Sequence, residues 1–165
     1  LEDDPTFVNY PGDQSILYGE GIFIGYRNYD LRKMDVRFPF GHGLSYTRFE
    51  YSDLRCPESF RAGDKVEISF TLRNSGEKPG AEVAQVYVRD VQASVQRPVR
   101  ELKGFSRVQL EAGEETRVSI QLDERAFSYY DQDRHSWTLE PGYFEIEVGS
   151  SSRDIRLKGS LRLEM

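Results

Sequence analysis

"KVEISFTLR", residues Lys65 to Arg73, decides the fold. Every even position from Val66 to Leu72 is apolar and every odd position is polar. Successive side chains of a strand point to opposite faces, so this stretch lays one face on a core and the other in water. A helix would scatter the same apolar residues around its surface.

The same period recurs downstream. Val118, Ile120 and Leu122 carry it, then Phe144, Ile146 and Val148, then Ile155, Leu157, Leu161 and Leu163 with Gly159 as a gap. A glycine inside a strand pattern marks a bulge or a close approach. Ala84, Val86 and Val88 mark another strand, apolar on both sides through Val83 and Tyr87, which predicts a central position. Turn signals separate the runs at Ala62-Gly63-Asp64, Asn74-Ser75-Gly76, Glu111-Ala112-Gly113 and Glu140-Pro141-Gly142. About seven short alternating strands with such turns predict an all-β antiparallel two-sheet sandwich of the immunoglobulin or fibronectin type III kind. Val91 to Arg100 reads as a loop crossing between the sheets.

Residues 1 to 46 differ in texture, being rich in Gly, Pro, Tyr and Phe without a sustained period. Ile22, Tyr26 and Tyr29 share one helical face while Ile22, Ile24 and Tyr26 would equally make a strand; the expectation is a short helix in an otherwise irregular N-terminal extension. Glu20 is a candidate to cap it electrostatically, and Arg27 and Asp30 are spaced to pair on it. So short a stretch cannot bury a core alone. It is expected to lie against the sandwich of residues 47–165 or to belong to another domain.

Composition narrows the function. Of 165 residues, 38% are hydrophobic and 30% charged, the balance of a globular protein. The net charge is -6, and the one basic cluster, Arg97, Arg100, Lys103 and Arg107, reads as a solvated strand face, so no nucleic acid partner is expected. No run approaches the roughly 20 apolar residues of a membrane helix, so no membrane partner is expected either. The opening Leu1-Glu2-Asp3-Asp4-Pro5 lacks a Met and reads as a cut end. Cys56 is the only cysteine, which excludes an intrachain disulfide, and His42 and His135 lack metal-ligand spacing. No cofactor and no metal site is expected. The lack of disulfides and of glycosylation acceptors fits an intracellular protein.

Four ordered blocks point further: "YGEGIFIGYRNYD", "FPFGHGLSYTRFEYS", "RPVRELKGFSRVQLEAGEE" and "LEPGYFEIEVGSSS". Together they resemble the C-terminal end of family 3 glycoside hydrolases, the β-glucosidase family, over nearly the whole chain. The resemblance implies that residues 1–46 are the tail and linker of an α/β sandwich domain and 47–165 a fibronectin type III-like domain. It implies a parent that hydrolyses terminal β-D-glucosyl residues with retention, using carboxylates about 5–5.5 Å apart. In the family the Asp nucleophile comes from a barrel and the Glu acid/base lies upstream of "EGIFIGYR", so neither falls on a position of this chain. The partner so implied is the parent's catalytic domains, with β-glucosides as the parent's substrate.

Several residues invite a catalytic reading. His42 sits in a Gly-flanked turn among aromatics, without a nucleophile or carboxylate beside it in sequence. It is therefore expected, with Phe38, Phe40 and Tyr46, to belong to a domain joint. Asp131, Asp133 and Glu140 read as a polar hairpin, and Trp137 as a residue packed on the sandwich, with sugar stacking as its competing role. The alternative to a structural domain is a carbohydrate- or protein-binding sandwich, for which Tyr87, Tyr129, Tyr130 and Trp137 would have to lie exposed in line. A self-contained hydrolase is the third possibility, and it would release a chromophore from an aryl β-glucoside unaided.

Overall fold

The computed structural model describes residues 4, 6, 7, 9 and 12–164. The reading of residues 1 to 5 as a cut end lies largely outside them. The chain from 47 onward is built of strands: β1 (Phe49–Arg55), β2 (Ser59–Phe60), β3 (Val66–Asn74), β4 (Gly80–Asp90), β5 (Glu101–Leu110), β6 (Glu115–Leu122), β7 (Tyr129–Asp131), β8 (Ser136–Thr138), β9 (Gly142–Ser151) and β10 (Asp154–Leu163). One sheet has the order β1-β3-β6, the other β2-β10-β9-β4-β5, and β7 and β8 form a separate hairpin. The two main sheets face each other as the sandwich predicted from the alternation.

The stretch that decided the fold is β3. Val66, Ile68, Phe70 and Leu72 are all buried, and Ile68 and Phe70 sit opposite Ile120 and Val118 of β6. The facing sheet contributes Ala84, Val86, Val88, Phe144, Ile146, Val148, Leu161 and Leu163. Gly104 on β5 lets the sheets close, because a Cβ there would lie 2.6 Å from Ile120 Cγ2 and 3.3 Å from Leu122 Cδ2. Phe60, Phe127 and Phe144 meet at one end of the core, the first two rings 4.5 Å apart.

β4 is interior, flanked by β5 and β9, as its two-sided hydrophobicity predicts. Gly159 meets the close approach expected of it: a Cβ would lie 3.0 Å from Cys56 Sγ. The register shifts of β10 fall instead between Asp154 and Leu157. Of the four turn glycines, Gly63 and Gly113 adopt the left-handed backbone, at φ 87° and 78°.

Two expectations are corrected here. Val91 to Arg100 does not cross between sheets; it joins β4 to β5, which pair with each other. Alternation identifies a strand but says nothing about which strands share a sheet. The helix is real but shorter than its period: α1 spans Tyr26–Leu31 only, after Gly25 turns the chain at φ 53°. Ile22 lies outside it and is exposed. No helix among the described residues is long and apolar enough to cross a membrane.

Candidate functional site

The outer face of the five-stranded sheet, away from the core, is where this molecule departs from a plain sandwich. Gln85 and Tyr87 on β4 and Glu147 on β9 project from it, yet all three are buried. Tyr87 and Glu147 stand directly opposite each other in the ladder. Gln85 and Tyr87 are met by the connector, α1 and the irregular chain that follows it to Thr47, while Glu147 is held by Arg100 and Lys158.

The cover is built from specific contacts. Tyr26 at the start of α1 stacks on Phe40 with ring centroids 4.7 Å apart and meets Tyr87 edge-on at 6.2 Å. Its hydroxyl oxygen accepts the Leu102 N–H at 2.9 Å. Tyr87 donates its hydroxyl to Gln85 Oε1 at 2.5 Å, and Gln85 Nε2 donates to Ser150 O at 2.6 Å and Gly41 O at 3.3 Å. Burial pushes the Tyr87 hydroxyl pKa upward, so it stays a donor. Gly41 is required twice over: its φ is 83°, and a Cβ would come within 2.3 Å of Gln85 Oε1. The Ser152 N–H donates to Phe40 O at 2.9 Å.

Ion pairs tie the same elements. Arg27 reaches Glu101 at 3.2 Å, and Asp30 takes Arg153 Nε at 2.8 Å, while Arg153 Nη2 also donates to Met34 O at 2.7 Å. Arg27 and Asp30 therefore do not pair with each other, as their spacing suggested; each grips a different strand or turn of the sandwich. Glu20 does not cap the helix either. Its carboxylate accepts from Asn9 Nδ2 at 2.8 Å, and α1 has no side-chain cap.

The basic cluster is the larger correction. Arg97 is buried, pairs with Asp90 and Glu101 at 3.1 Å each, and donates to the carbonyls of Phe127 and Ser128. Arg100 Nε lies 2.9 Å from Glu147 Oε2, and Lys158 Nζ lies 2.6 Å from Oε1. These two cations compensate a carboxylate that is fully buried. Burial lowers the Lys103 pKa, opposed by Glu101 at 3.5 Å. Only Arg107 is exposed, as a solvated face requires. Asp90 and Glu101 are near in sequence, but Glu147 and the carbonyls of Phe127 and Ser128 come from distant segments, which no local pattern announces.

The predicted joint residues lie on or beside this cover. Phe40 packs on Tyr26, and Phe38 stacks on His42 with centroids 5.3 Å apart. The His42 N–H closes a turn onto Pro39 O at 3.0 Å. Phe38, Leu44 and Tyr46 are left 67%, 93% and 95% exposed. Buried polar atoms without a hydrogen-bond partner among the described residues gather nearby, including Asp30 Oδ2 and Ser152 Oγ. Each such group costs about 1–3 kcal/mol.

The other candidates do not assemble a catalytic pair. Asp131 Oδ1 accepts the N–H groups of Asp133 and Arg134, closing the β7–β8 turn. Glu140 holds the 91–100 loop through Ser94; burial opposes its ionisation, and hydrogen bonds from Ser94 and Tyr129 bring its pKa below the ordinary value. Trp137 is half-exposed rather than packed in the sandwich; Tyr130 meets it edge-on and the Arg125 guanidinium lies 3.8 Å from its ring centre. The aromatic line needed by a carbohydrate-binding face is not formed, since Tyr87 is buried under the connector. Among the described residues no group of three or more His, Cys, Asp and Glu could hold a metal ion.

A sandwich of this topology is a fibronectin type III-like domain, and the family of that description matches residues 82–152. The likeness extends over the connector as well. The thermostable β-glucosidase B of Acetivibrio thermocellus is 47% identical over 99% of this chain, which spans 22% of that protein. The exo-α-(1->6)-L-arabinopyranosidase of Bifidobacterium breve is 42% identical over 99% of the chain and 22% of its own length. A crystal structure of a family 3 β-glucosidase from Bifidobacterium adolescentis superposes with a TM-score of 0.93 at 40% identity, covering 98% of this chain and 24% of that one. The chain is the C-terminal, fibronectin type III-like part of a family 3 glycoside hydrolase. It spans about a fifth of the length of the curated relatives it matches.

Proposed function

We propose that this chain is the non-catalytic structural domain that the parent's catalytic domains pack upon. In this reading residues 1–46 are the tail and linker of the preceding domain, and the sandwich begins at 47. The observation that carries it is the exposure of Phe38, Leu44 and Tyr46 on a connector whose other face is fixed to the sandwich. Exposed apolar side chains concentrated on one element mark an interaction surface. The partner is the remainder of the parent enzyme, and neither nucleic acid nor a membrane is needed. Hydrolysis of β-glucosides belongs to that remainder. Relatives named as a glucosidase and as an arabinopyranosidase resemble this domain almost equally, at 47% and 42% identity, which supports a role that does not choose the sugar.

Complementation tests the proposal. The parent enzyme truncated before this segment is expected to be unstable and to release little chromophore from an aryl β-glucoside. Adding this chain in trans restores both, while the chain alone gives no turnover. Full activity and an unchanged melting temperature without the segment would refute the structural role.

A further inference from the structure

We propose that the crevice between β5 and the short turn Glu124–Ala126 after β6 binds a phosphoryl dianion, as free phosphate or as a phosphate monoester. The crevice is lined wholly by residues of the sandwich and holds about 470 Å³. At about 30 Å³ per water this is room for about fifteen waters, enough for a phosphoryl group with a small organic tail. Lys65, Lys103 and Arg125 line it against a single carboxylate, Asp123, and the buried Leu122 and Ala126 give it apolar walls. The whole chain carries a net charge of -6, so this is a positive hollow in an acidic protein. A cleft lined by one sign of charge with low-dielectric walls focuses the field and concentrates the counter-ion.

The three cations lack the counter-charge their setting calls for. Lys65 and Arg125 pair with no carboxylate among the described residues. The Arg125 guanidinium lies 3.8 Å from the Trp137 ring centre, so an aromatic ring steadies it while its N–H groups stay available. Lys103 has only a share of one carboxylate: Glu101, 3.5 Å away, also holds Arg27 at 3.2 Å and Arg97 at 3.1 Å. Burial keeps the Lys103 pKa below the ordinary lysine value, as befits an ammonium partly out of water without a full partner. The Lys103 side chain is nevertheless 16% exposed, and Lys65 and Arg125 are exposed outright, so each presents surface to the crevice.

The charge and shape of the lining select the ligand. Three cations against Asp123 leave two positive charges, which a dianion neutralises and a monoanion does not. The planar fork of Arg125 matches two phosphoryl oxygens, and the two ammonium groups act as point charges on the same group. The cations line a hollow with apolar walls, the setting of a small molecule, and not a flat stripe that would track a polyanion.

The test is a titration of the whole isotope-labelled chain with inorganic phosphate, and separately with glycerol 3-phosphate, against sodium chloride at matched ionic strength. Trp137 is the only tryptophan, so its indole N–H gives a single resonance beside Arg125. The expected result is saturable movement of that resonance and of the Lys103, Asp123 and Ala126 amides with phosphate or its ester, and none with chloride. Tighter binding of the ester assigns the crevice to a phosphate monoester, and equal binding assigns it to free phosphate. Arg125→Gln, at an exposed position, weakens binding about 10-fold, the low end for a hydrogen bond to a charged group. Lys103→Met weakens it by a similar factor while Glu101 keeps Arg27 and Arg97, so the fold is retained. Arg107→Gln, exposed and outside the crevice, leaves the affinity unchanged. The proposal is overturned if the resonances do not saturate, if chloride moves them equally, or if Arg107→Gln weakens binding as much as Arg125→Gln. It is overturned equally if a poly-glutamate peptide saturates them and phosphate does not, which would assign the crevice to an acidic protein segment.

Discussion

Arg97→Met separates a buried arginine from a solvated one. The Arg97 side chain is 7% exposed, against 6% for Asp90 and 14% for Glu101. Methionine fills much of the volume but leaves two carboxylates and the carbonyls of Phe127 and Ser128 without their donor. Glu101 keeps Arg27 at 3.2 Å and Lys103 at 3.5 Å, whereas Asp90 keeps only the Gln92 N–H at 3.0 Å. Removing one member of a buried pair costs about 3–5 kcal/mol, and the cations left on Glu101 favour the lower end, about 3 kcal/mol. With a urea slope of about 2 kcal/mol per molar, the unfolding midpoint falls by about 1.5 M. Arg97→Lys keeps the charge but cannot reach four acceptors at once, so its midpoint should lie between the two. Arg107→Met, on an exposed side chain, should shift stability by no more than about 0.5 kcal/mol. If Arg97→Met also stayed within about 0.5 kcal/mol of the native chain, the buried network would carry no net stability and the reasoning would fail.

Gly104→Ala is expected to lower stability by about 1–3 kcal/mol by pushing the sheets apart at Ile120, read by calorimetry as about 2–4 °C per kcal/mol; an unchanged melting temperature would argue against so close an approach. Gly63→Ala has open space around it but a φ of 87°, so it should cost only the left-handed backbone, about 1–2 kcal/mol. Arg153→Met releases both Asp30 and Met34 O and should speed tryptic cleavage after Arg32 or Lys33 about tenfold while the sandwich survives; an unaltered rate would mean the connector is held elsewhere. Burial raises the pKa of Glu82, so its charged form destabilises the fold above that pKa and the penalty disappears as pH falls through it. Glu82→Gln should therefore be more stable than the native chain at neutral pH, with the difference closing in the carboxylate range; thermal melts across pH in which the gap stays constant would contradict this.

What the sequence made legible was local. A residue's neighbours two positions away dictate whether a strand has one wet face, so β3, β6, β9 and β10 could be read directly. Val83 and Tyr87 flanking Ala84, Val86 and Val88 marked β4 as central for the same reason. What stayed hidden was long-range. β2 is two residues long and exists because it pairs in parallel with Arg162 and Leu163, so it has no period to read. Arg97 and Arg100 looked solvated because the Phe127 and Ser128 carbonyls and Glu147 reach them only after the chain has folded. Tyr87 helped mark β4 as apolar on both sides, but nothing in the period says that the connector is the layer covering its outer face. Of the candidate site, Phe40 could be found from its composition-rich surroundings. Arg153 and Ser152, which face it, could not, since they sit in an ordinary hairpin turn.

The connector is attached at three separated places: Glu101 and Leu102 on β5, Gln85 on β4, and the Ser152–Arg153 turn between β9 and β10. Three points that do not share a line fix an object's tilt as well as its position. A polypeptide tethered by one flexible strand would swivel; one bolted this way transmits a heading. Removing any single bolt turns the mount into an axle about the remaining two, so loss of one contact should show as freedom to rotate before it shows as loss of fold.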